Sequence, residues 1–384
     1  MSEHLYIHVP FCLKKCRYCD FYSETDQNRI PAYVSALVKE IQWYGGKKQQ
    51  DIVNTVYFGG GTPSLLPTDA LEKIFNTLHR CYSIPETAEI TLEANPGTLD
   101  KAYLENIRAM GINRLSIGVQ SFNSGNLSLL GRVHTGAQAA DAVKFARAAG
   151  FDNIGLDLIF GLPGQSRRQW REEMDIALGS RPEHLSCYML SLEPGTPLYS
   201  RYEAGLFLPM AQETQVDYFS FTSDYLSGAG YTHYEISNFA SGTPKRSRHN
   251  SMYWQMRPYS GFGPSAHSYQ CNGDMPKRSW NLPDLGRYID CLESGQLPVE
   301  DEEYITISRQ LLEMVMVGLR TVEGIDLKLF DTLSEKPFTE VFAELINTLV
   351  DEGLGRHAGN RFSLTRAGWA RLDSIVEEFA EKLI

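Results

Sequence analysis

Three of the seven cysteines lie close together near the start of the chain, at Cys12, Cys16 and Cys19, and the other four are scattered. Thiolate ligands select zinc, copper(I) or iron–sulfur clusters. An odd number of cysteines with one tight cluster indicates a metal site rather than a disulfide framework. The spacing Cys-x-x-x-Cys-x-x-Cys therefore predicts a loop that holds a metal centre with three thiolates.

The types of ligand alone leave two kinds of metal centre possible, a zinc site and an iron–sulfur cluster. His8 and the three cysteines would together supply the four ligands of a zinc site. Strand alternation, however, points His8 into the interior of the predicted sheet or barrel, where a closed tetrahedron with the loop is awkward. A bacterial ferredoxin cluster needs a fourth cysteine nearby, and the next one here is Cys81. Three thiolates on a four-iron cluster would leave one iron open to an exchangeable ligand.

The residues around this loop resemble a family signature. Residues 6–12, Tyr-Ile-His-Val-Pro-Phe-Cys, and residues 19–21, Cys-Asp-Phe, are similar to the motif of the radical S-adenosylmethionine (SAM) superfamily. The likeness is to the branch that contains the oxygen-independent coproporphyrinogen III oxidase. It implies that Cys12, Cys16 and Cys19 bind a [4Fe-4S] cluster, and that SAM chelates its open iron and is cleaved by an electron from the cluster.

Polar and glycine residues follow several predicted strands. Gly59-Gly60-Gly61-Thr62 follows the second strand, and glycines let backbone groups approach a ligand closely. Glu93, Gln120 and Asp157 are expected at the ends of the third, fourth and fifth strands. One acidic residue there would suit a helix cap, but three polar residues on successive strands favour a shared ligand site at the edge where such sheets bind ligands.

The resemblance implies a SAM site at matching positions: Tyr6, Tyr18, Gly60, Gly61, Thr62, Glu93, Gln120, Arg132, Asp157 and Met189. It implies that the glycine motif binds the SAM amino group and that Glu93 accepts from the ammonium or ribose. Gln120 would bond the adenosyl group, Asp157 the ribose hydroxyls, and Arg132 a carboxylate. No residue is assigned as a catalytic acid, base or nucleophile.

A second group of residues, Arg-His-Asn-Ser-Met-Tyr-Trp at 248–254, follows the basic stretch Lys245-Arg246. An iron porphyrin would need an axial ligand such as His249, cations for its propionates and rings for stacking. A hydrogen-bonded structural histidine is the alternative. His249-Asn250-x-x-Tyr253-Trp254 resembles the motif of the HemW group of haem chaperones, and the likeness extends over nearly the whole chain. It implies that His249 binds haem.

Two functions follow from these resemblances. The first is a haem chaperone that binds haem, the cluster and SAM and transfers haem to acceptor haemoproteins, with membrane respiratory subunits among the candidates. The second is an oxygen-independent coproporphyrinogen III oxidase. That enzyme has a further cysteine where this chain has Phe21, and a longer segment before its first cysteine than the eleven residues here. Both departures favour the chaperone, although the scaffold could in principle cleave SAM.

The elements that must position these residues alternate between strand and helix, which is typical of βα units around a parallel sheet. The predicted strands are Leu5–Val9, Thr55–Phe58, Glu89–Leu92, Arg114–Val119, Asn153–Ile159 and His184–Leu190. The predicted helices are Pro31–Tyr44, Thr68–His79, Asp100–Met110, Gln138–Ala149, Ser166–Leu178 and Met210–Ser227. Six units are two short of a closed eightfold barrel, so we predict an α/β fold with a partial (β/α)6 radical SAM barrel.

The rest of the chain divides into an aromatic and glycine-rich segment and a helical end. The predicted divisions are 1–230 for the barrel, 231–300 for the segment with the His-Asn-x-x-Tyr-Trp motif, and 301–384 for a winged-helix-like α+β module. That module is expected to contain helices Glu303–Arg320, Phe338–Asp351 and Arg366–Leu383 and a hairpin around His357–Ser363.

Charge excludes the DNA-binding role that a winged helix often has. Residues 301–384 contain 9 Lys and Arg against 16 Asp and Glu, and the whole chain has a formal charge of −11. Such a surface repels phosphates. No apolar run approaches the roughly 20 residues that cross a bilayer, and Met1-Ser2-Glu3-His4 does not resemble a signal peptide. We therefore predict a cytoplasmic protein without nucleic acid, and the sequence leaves a homodimer open.

Overall fold

The computed structural model describes residues 4–45, 52–271 and 275–383. In chain order its strands are β1 (His4–Val9), β2 (Thr55–Gly60), β3 (Glu89–Ala94), β4 (Arg114–Gln120), β5 (Ile154–Phe160), β6 (His184–Met189), β7 (Thr232–Glu235), β8 (Asn238–Ala240), β9 (Ser260–Phe262), β10 (His267–Gln270), β11 (Lys277–Asn281), β12 (Val299–Tyr304), β13 (Ile325–Asp326), β14 (Gly355–Ala358) and β15 (Arg361–Leu364).

Its α-helices are α1 (Ile30–Gly45), α2 (Thr68–Cys81), α3 (Lys101–Ala109), α4 (Ser124–Leu130), α5 (Gly136–Ala148), α6 (Arg167–Gly179), α7 (Pro197–Glu203), α8 (Gln212–Gly228), α9 (Arg248–Trp254), α10 (Leu285–Glu293), α11 (Ile307–Gly318), α12 (Leu327–Leu333), α13 (Phe338–Val341), α14 (Ala343–Asp351), α15 (Arg366–Trp369) and α16 (Leu372–Glu381). None of the described helices is long and apolar enough to span a membrane.

Two compact units contain these elements. The first comprises the described residues within 1–210, 258–272 and 277–303, and the second those within 211–257, 273–276 and 304–384. This division follows spatial proximity alone, so the three-part domain organisation expected from the sequence stays a prediction.

A parallel sheet forms the centre of the first unit, in the order β6-β5-β4-β3-β2-β1-β9. Successive βα units place each strand beside the previous one, and helices α1 and α2 pack against each other outside it. Among the described strands β9 and β6 are not paired, so the barrel is open. The predicted α/β fold with a partial barrel is confirmed.

The second unit contains the β7–β8 hairpin and the C-terminal module. Strands β13, β15 and β14 form a small antiparallel sheet. Aromatic rings dominate its core, with Phe342 4.7 Å from Phe338 and 4.8 Å from Phe379 between ring centroids. The predicted winged-helix-like α+β module is confirmed.

Several boundaries within this pattern were predicted incorrectly. The expected helix Glu303–Arg320 begins only at Ile307, because strand β12 extends through Tyr304. The expected helix Phe338–Asp351 is interrupted at Phe342, whose φ of −112° and ψ of 21° are not helical. The expected helix Arg366–Leu383 is likewise interrupted, at Arg371.

One buried carboxylate joins α1 to two other parts of the first unit. Glu40 accepts hydrogen bonds from the Gly263 backbone N–H at 2.8 Å, the Asn281 amide at 2.6 Å and the Tyr288 hydroxyl at 2.6 Å. Burial raises the pKa of Glu40 to about 7, although the three donors act in the opposite direction. The folded state therefore retains a proton on Glu40 at pH values where the unfolded chain has released it.

We expect Glu40→Gln to change how stability depends on pH. Between pH 5 and pH 8 the wild type should lose on the order of 2–3 kcal/mol of unfolding free energy through Glu40, because its folded pKa lies above the unfolded value. The Gln variant lacks this group, whereas Glu93 and Glu235 titrate in both proteins. Urea unfolding at the two pH values measures the difference. Parallel pH profiles for the two proteins would contradict the prediction.

Candidate functional site

The cysteine loop leaves β1 and returns to the chain that leads into α1. Its base is closed where the Cys12 N–H donates to the Glu24 carbonyl at 2.8 Å and the Glu24 N–H donates to Pro10 at 2.6 Å. The thiols of Cys12, Cys16 and Cys19 are all partly accessible. The loop thus presents three sulfur atoms from a segment whose ends are held together.

The electrostatic surroundings of the thiols differ. Burial raises the pKa of Cys12, although the Thr62 hydroxyl donates to its sulfur at 3.6 Å and acts in the opposite direction. Burial also raises the pKa of Cys19 to about 11. The two thiols are therefore protonated at neutral pH in the absence of a metal, and a metal that binds them would release protons.

His8 does not join the cysteines. Its Nε2 atom is hydrogen-bonded to the Tyr22 carbonyl at 3.0 Å and its Nδ1 atom to the Tyr6 hydroxyl at 3.2 Å. In residues 4–45, 52–271 and 275–383, no three His, Cys, Asp or Glu side chains are grouped to hold a single metal ion. The His8 contacts argue against the tetrahedral zinc site that remained open from the sequence.

A cavity of about 470 Å³ lies beside this loop. It brings together most of the predicted ligands, which come from the cysteine loop, five successive strands and the segment after α4: Cys12, Cys16, Tyr18, Cys19, Gly60, Gly61, Thr62, Glu93, Gln120, Arg132, Asp157 and Met189. Tyr6 lies behind them, where its ring stacks on Tyr57 with centroids 6.2 Å apart.

Two glycines allow the β2 loop to pass close to β1. Gly60 has a φ of +105°, and a Cβ atom there would lie 2.7 Å from the His8 ring. A Cβ atom on Gly61 would lie 2.7 Å from the Phe11 carbonyl oxygen. Since side chains are excluded at both positions, the backbone itself lines the cavity.

Glu93 is held from the neighbouring strand. The Tyr57 hydroxyl donates to its Oε1 atom at 2.7 Å and the Gly60 N–H donates to Oε2 at 3.2 Å. Burial, with a smaller contribution from the negative charge of Asp157, raises the pKa of Glu93 to about 7. A cationic group in the cavity would favour its ionised form.

Asp157 lies in the middle of β5 rather than at its end, because the strand continues to Phe160. The Ser116 hydroxyl lies 3.2 Å from both of its carboxylate oxygens, and Ser186 on β6 also donates to it. Burial raises the pKa of Asp157, whereas these hydrogen bonds lower it. The serines were missed in the sequence, although they are the residues directly beside Glu93 and Asp157 in strand register.

Arg132 contacts a thiol rather than a carboxylate. Its Nη1 atom donates to the Cys16 sulfur at 3.4 Å and its Nη2 atom to the Gly118 carbonyl at 2.6 Å. Its buried Nε atom has no hydrogen-bond partner in the described part of the chain. A buried donor of this kind normally has a partner. This N–H can therefore still donate a hydrogen bond to a ligand that carries an anionic oxygen.

The donor set suits an iron–sulfur cluster with SAM beside it. Soft thiol ligands lie at one side of the cavity, as such clusters require. Carboxylates and an amide lie on the strands and the unsatisfied arginine donor lies in the segment after α4, where the charged and hydroxyl groups of SAM would need partners. The residues present therefore fit both groups.

His249 belongs to the second unit. It lies on α9, which begins after Ser247 caps it by accepting from the Asn250 N–H at 3.2 Å. The side chain is only 1% exposed, and Nε2 is hydrogen-bonded to the Tyr253 hydroxyl at 3.0 Å. The imidazole is thus held by its own helix, as the structural alternative expects, and haem ligation would require this bond to be exchanged.

Two other residues of the segment 245–254, Arg246 and Trp254, also contact neighbouring side chains. Arg246 forms an ion pair with Glu323 at 2.5 Å and lies over the Tyr234 ring, 5.1 Å from its centroid. Arg320 lies 5.0 Å from the centroid of the Trp254 ring. The buried Trp254 Nε1 has no hydrogen-bond partner among the described residues. The Nε atoms of Arg246 and Arg320 are likewise buried without a hydrogen-bond partner among the described residues, so an acceptor that enters this region would find three unused donors.

Family comparisons agree with this geometry. Residues 6–177 match the model of the radical SAM superfamily, and residues 308–371 match that of the HemN C-terminal domain. The Escherichia coli coproporphyrinogen III oxidase HemN, a radical SAM enzyme, has a similar fold with a TM-score of 0.82. That likeness covers 98% of this chain and 89% of HemN at 23% identity, which shows the fold alone.

Curated relatives identify the branch. The chain is 34% identical to the "Heme chaperone HemW" of Bacillus subtilis, over 94% of this chain and 95% of that protein. It is 32% identical to the "Heme chaperone HemW" of Lactococcus lactis, over 97% of this chain and 96% of that protein. This chain therefore belongs to the HemW family of the radical SAM superfamily.

Proposed function

We propose that this chain is a haem chaperone, which binds haem, a [4Fe-4S] cluster and SAM and transfers the haem to acceptor haemoproteins. One observation carries the cofactor part of the proposal: the three thiols of a closed loop and the polar residues of successive strands line one cavity. The haem part rests on the names of the relatives and on the His249 motif.

Cys12, Cys16 and Cys19 would hold the cluster. Three cysteine ligands would leave one iron for the amino and carboxylate groups of SAM, and the bound cluster supplies electron transfer to SAM. The chain's own residues would keep the thiols in place and partly out of water, through the Thr62 hydroxyl at Cys12 and the Arg132 guanidinium at Cys16.

The strand residues would bind and orient SAM. Glu93, held by Tyr57 and Gly60, would accept from a cationic or hydroxyl group of SAM. Asp157, held by Ser116, would accept from ribose hydroxyls. Gln120, Tyr18 and Met189 line the same cavity and would contact the nucleoside, while Tyr6 would act indirectly by packing on Tyr57.

We expect Asp157→Ala to weaken SAM binding by roughly 1–3 kcal/mol, the range for a hydrogen bond to a charged group. Equilibrium dialysis of the cluster-loaded protein would measure this change. Asp175→Ala, on the exposed side of α6, is the matched control and should bind SAM like the wild type. Equal affinity in the two variants would mean that Asp157 does not contact SAM.

Haem would be bound through His249 once its bond to Tyr253 is exchanged for iron. Rings from the same helix, Tyr253 and Trp254, would stack on the porphyrin, and the unused Trp254 Nε1 donor would bind a propionate. Arg246 would also bind a propionate if its ion pair with Glu323 were broken. The acceptor proteins, a homodimer and the cytoplasmic location expected from the sequence stay predictions.

An oxygen-independent coproporphyrinogen III oxidase is the second candidate, because HemN has a similar fold. Phe21 stands where that enzyme has a further cysteine, and it is 64% exposed. Two assays separate the candidates: saturable haem binding supports the chaperone, and decarboxylation of coproporphyrinogen III under reducing, anaerobic conditions with SAM supports the oxidase.

A further inference from the structure

One cation within the cysteine loop is bound to the end of a helix. Arg17 follows Cys16 directly, and its Nη1 atom donates to the carbonyl oxygens of Ser128 at 2.9 Å and Leu129 at 3.4 Å. Its backbone N–H donates to the carbonyl of Leu130 at 2.9 Å. Arg17 thus contacts the last three carbonyls of α4.

These carbonyls are suitable partners. The final carbonyls of a helix lack the intrahelical bonds of the preceding turns, and a cation there interacts favourably with the helix dipole. Gly131 ends α4 with a φ of +75°, and a Cβ atom on it would lie 3.0 Å from Arg17 Cγ. The close approach of the arginine therefore depends on a glycine at this position.

The same helix end also contacts the preceding cysteine. Arg132, the residue after Gly131, donates to the Cys16 sulfur at 3.4 Å and to the Gly118 carbonyl at 2.6 Å. On the other side, the Arg17 carbonyl accepts from the Leu198 N–H at 2.8 Å. Residues 16 and 17 are therefore bound directly to α4 and α7, and through Arg132 to β4.

We propose that Arg17 is a positioning residue that fixes the Cys16–Cys19 part of the loop for cluster binding. Cys19 is two residues further on, and its N–H donates to the Cys16 carbonyl of the same loop at 3.4 Å. Without the guanidinium, the loop would keep one backbone bond to α4 and would move relative to Arg132. The proposal rests on the cluster assigned above to the three cysteines.

The test compares Arg17→Met, which keeps the length of the side chain without its donors, with Arg17→Lys, which keeps a charge and can donate to one carbonyl. Arg168→Met is the control, because the Arg168 side chain is 88% exposed on α6. Each protein is loaded with cluster anaerobically. The readouts are the rate of iron loss to a strong chelator, the electron paramagnetic resonance spectrum of the reduced cluster, and the thermal unfolding of the metal-free chain.

We expect Arg17→Met to lose iron roughly 10- to 100-fold faster than the wild type, the usual consequence of removing a residue that orients metal ligands. Its reduced-cluster spectrum should broaden, its metal-free melting should match the wild type, and Arg17→Lys should restore part of the retention. Rates equal to those of the wild type and Arg168→Met would overturn the inference, as would an equal lowering of metal-free stability in both Arg17 variants. A wild type that takes up no cluster would instead overturn the proposed function.

Discussion

Cys16→Ala is expected to abolish the iron–sulfur chromophore while the chain stays folded. Three thiolates are the smallest set that holds a four-iron cluster with one open iron, so the loss of one should reduce bound iron from about four atoms per chain to a small fraction. The substitution also removes the sulfur that Arg132 contacts at 3.4 Å. Iron and acid-labile sulfide analysis after anaerobic reconstitution measures the effect.

The matched control for this variant is Cys271→Ala, because Cys271 is an exposed cysteine outside the loop. It should retain the full chromophore. The metal-free melting of Cys16→Ala should also remain close to that of the wild type, since Cys16 is partly exposed and Arg132 keeps its hydrogen bond to the Gly118 carbonyl. A Cys16→Ala protein with full iron and sulfide would refute the ligand assignment.

His249→Ala is expected to eliminate the axial-ligand signature of bound haem and to leave the cluster intact. The imidazole is the iron ligand in this proposal, and an alanine offers no donor in its place. The cluster should survive because Cys12, Cys16 and Cys19 belong to the other compact unit. Optical titration with haem, together with iron and sulfide analysis, measures both properties in one protein.

Two further variants make this prediction specific. Tyr253→Phe removes the hydroxyl bonded to His249 Nε2 and should retain the histidine signature, because nothing then competes with iron for that nitrogen. His357→Ala, at an exposed histidine of β14, is the control and should bind haem like the wild type. Identical haem spectra for the wild type and His249→Ala would place the ligand elsewhere. Loss of the signature only in Tyr253→Phe would identify the tyrosine instead.

The parallel sheet could be predicted because each of its strands is marked by a pattern in the adjacent sequence. Short β-branched runs alternate with helical periodicity, and each βα unit places its strand next to the previous one. Polar residues expected at the ends of three successive strands, Glu93, Gln120 and Asp157, indicated a shared ligand site. Strand order then brought Glu93, Gln120 and Asp157 to a common cavity.

Elements stabilised by distant partners could not be predicted in this way. β9 is only three residues long and becomes a strand because it pairs with β1. β12 is highly acidic, and its Glu302 and Glu303 are neutralised by Lys277 and Arg278 on β11. Because these glutamates directly precede a helical segment, the sequence suggested that Glu303 begins the helix. A three-residue strand and a charged strand both lack the apolar alternation that marks a half-buried strand.

The residues that hold the site residues in place could not be predicted from the sequence either. Tyr57 was not singled out because a tyrosine in a buried strand is usually a packing residue, yet it holds Glu93. Arg17 has no motif of its own, since its partners are the carbonyls of a helix more than one hundred residues away. The hydrogen bond between His249 and Tyr253 could not be predicted from the sequence either, because it depends on where α9 begins and ends.

Haem binding by the wild-type protein is the property that distinguishes a haem chaperone from an oxidase. Anaerobically reconstituted protein is titrated with haem, and a portion is assayed with coproporphyrinogen III, SAM and a reductant. We expect saturable binding of about one haem per chain with an axial-histidine spectrum, and no decarboxylation of coproporphyrinogen III. Decarboxylation without saturable haem binding would contradict this expectation and would identify the chain as an oxidase.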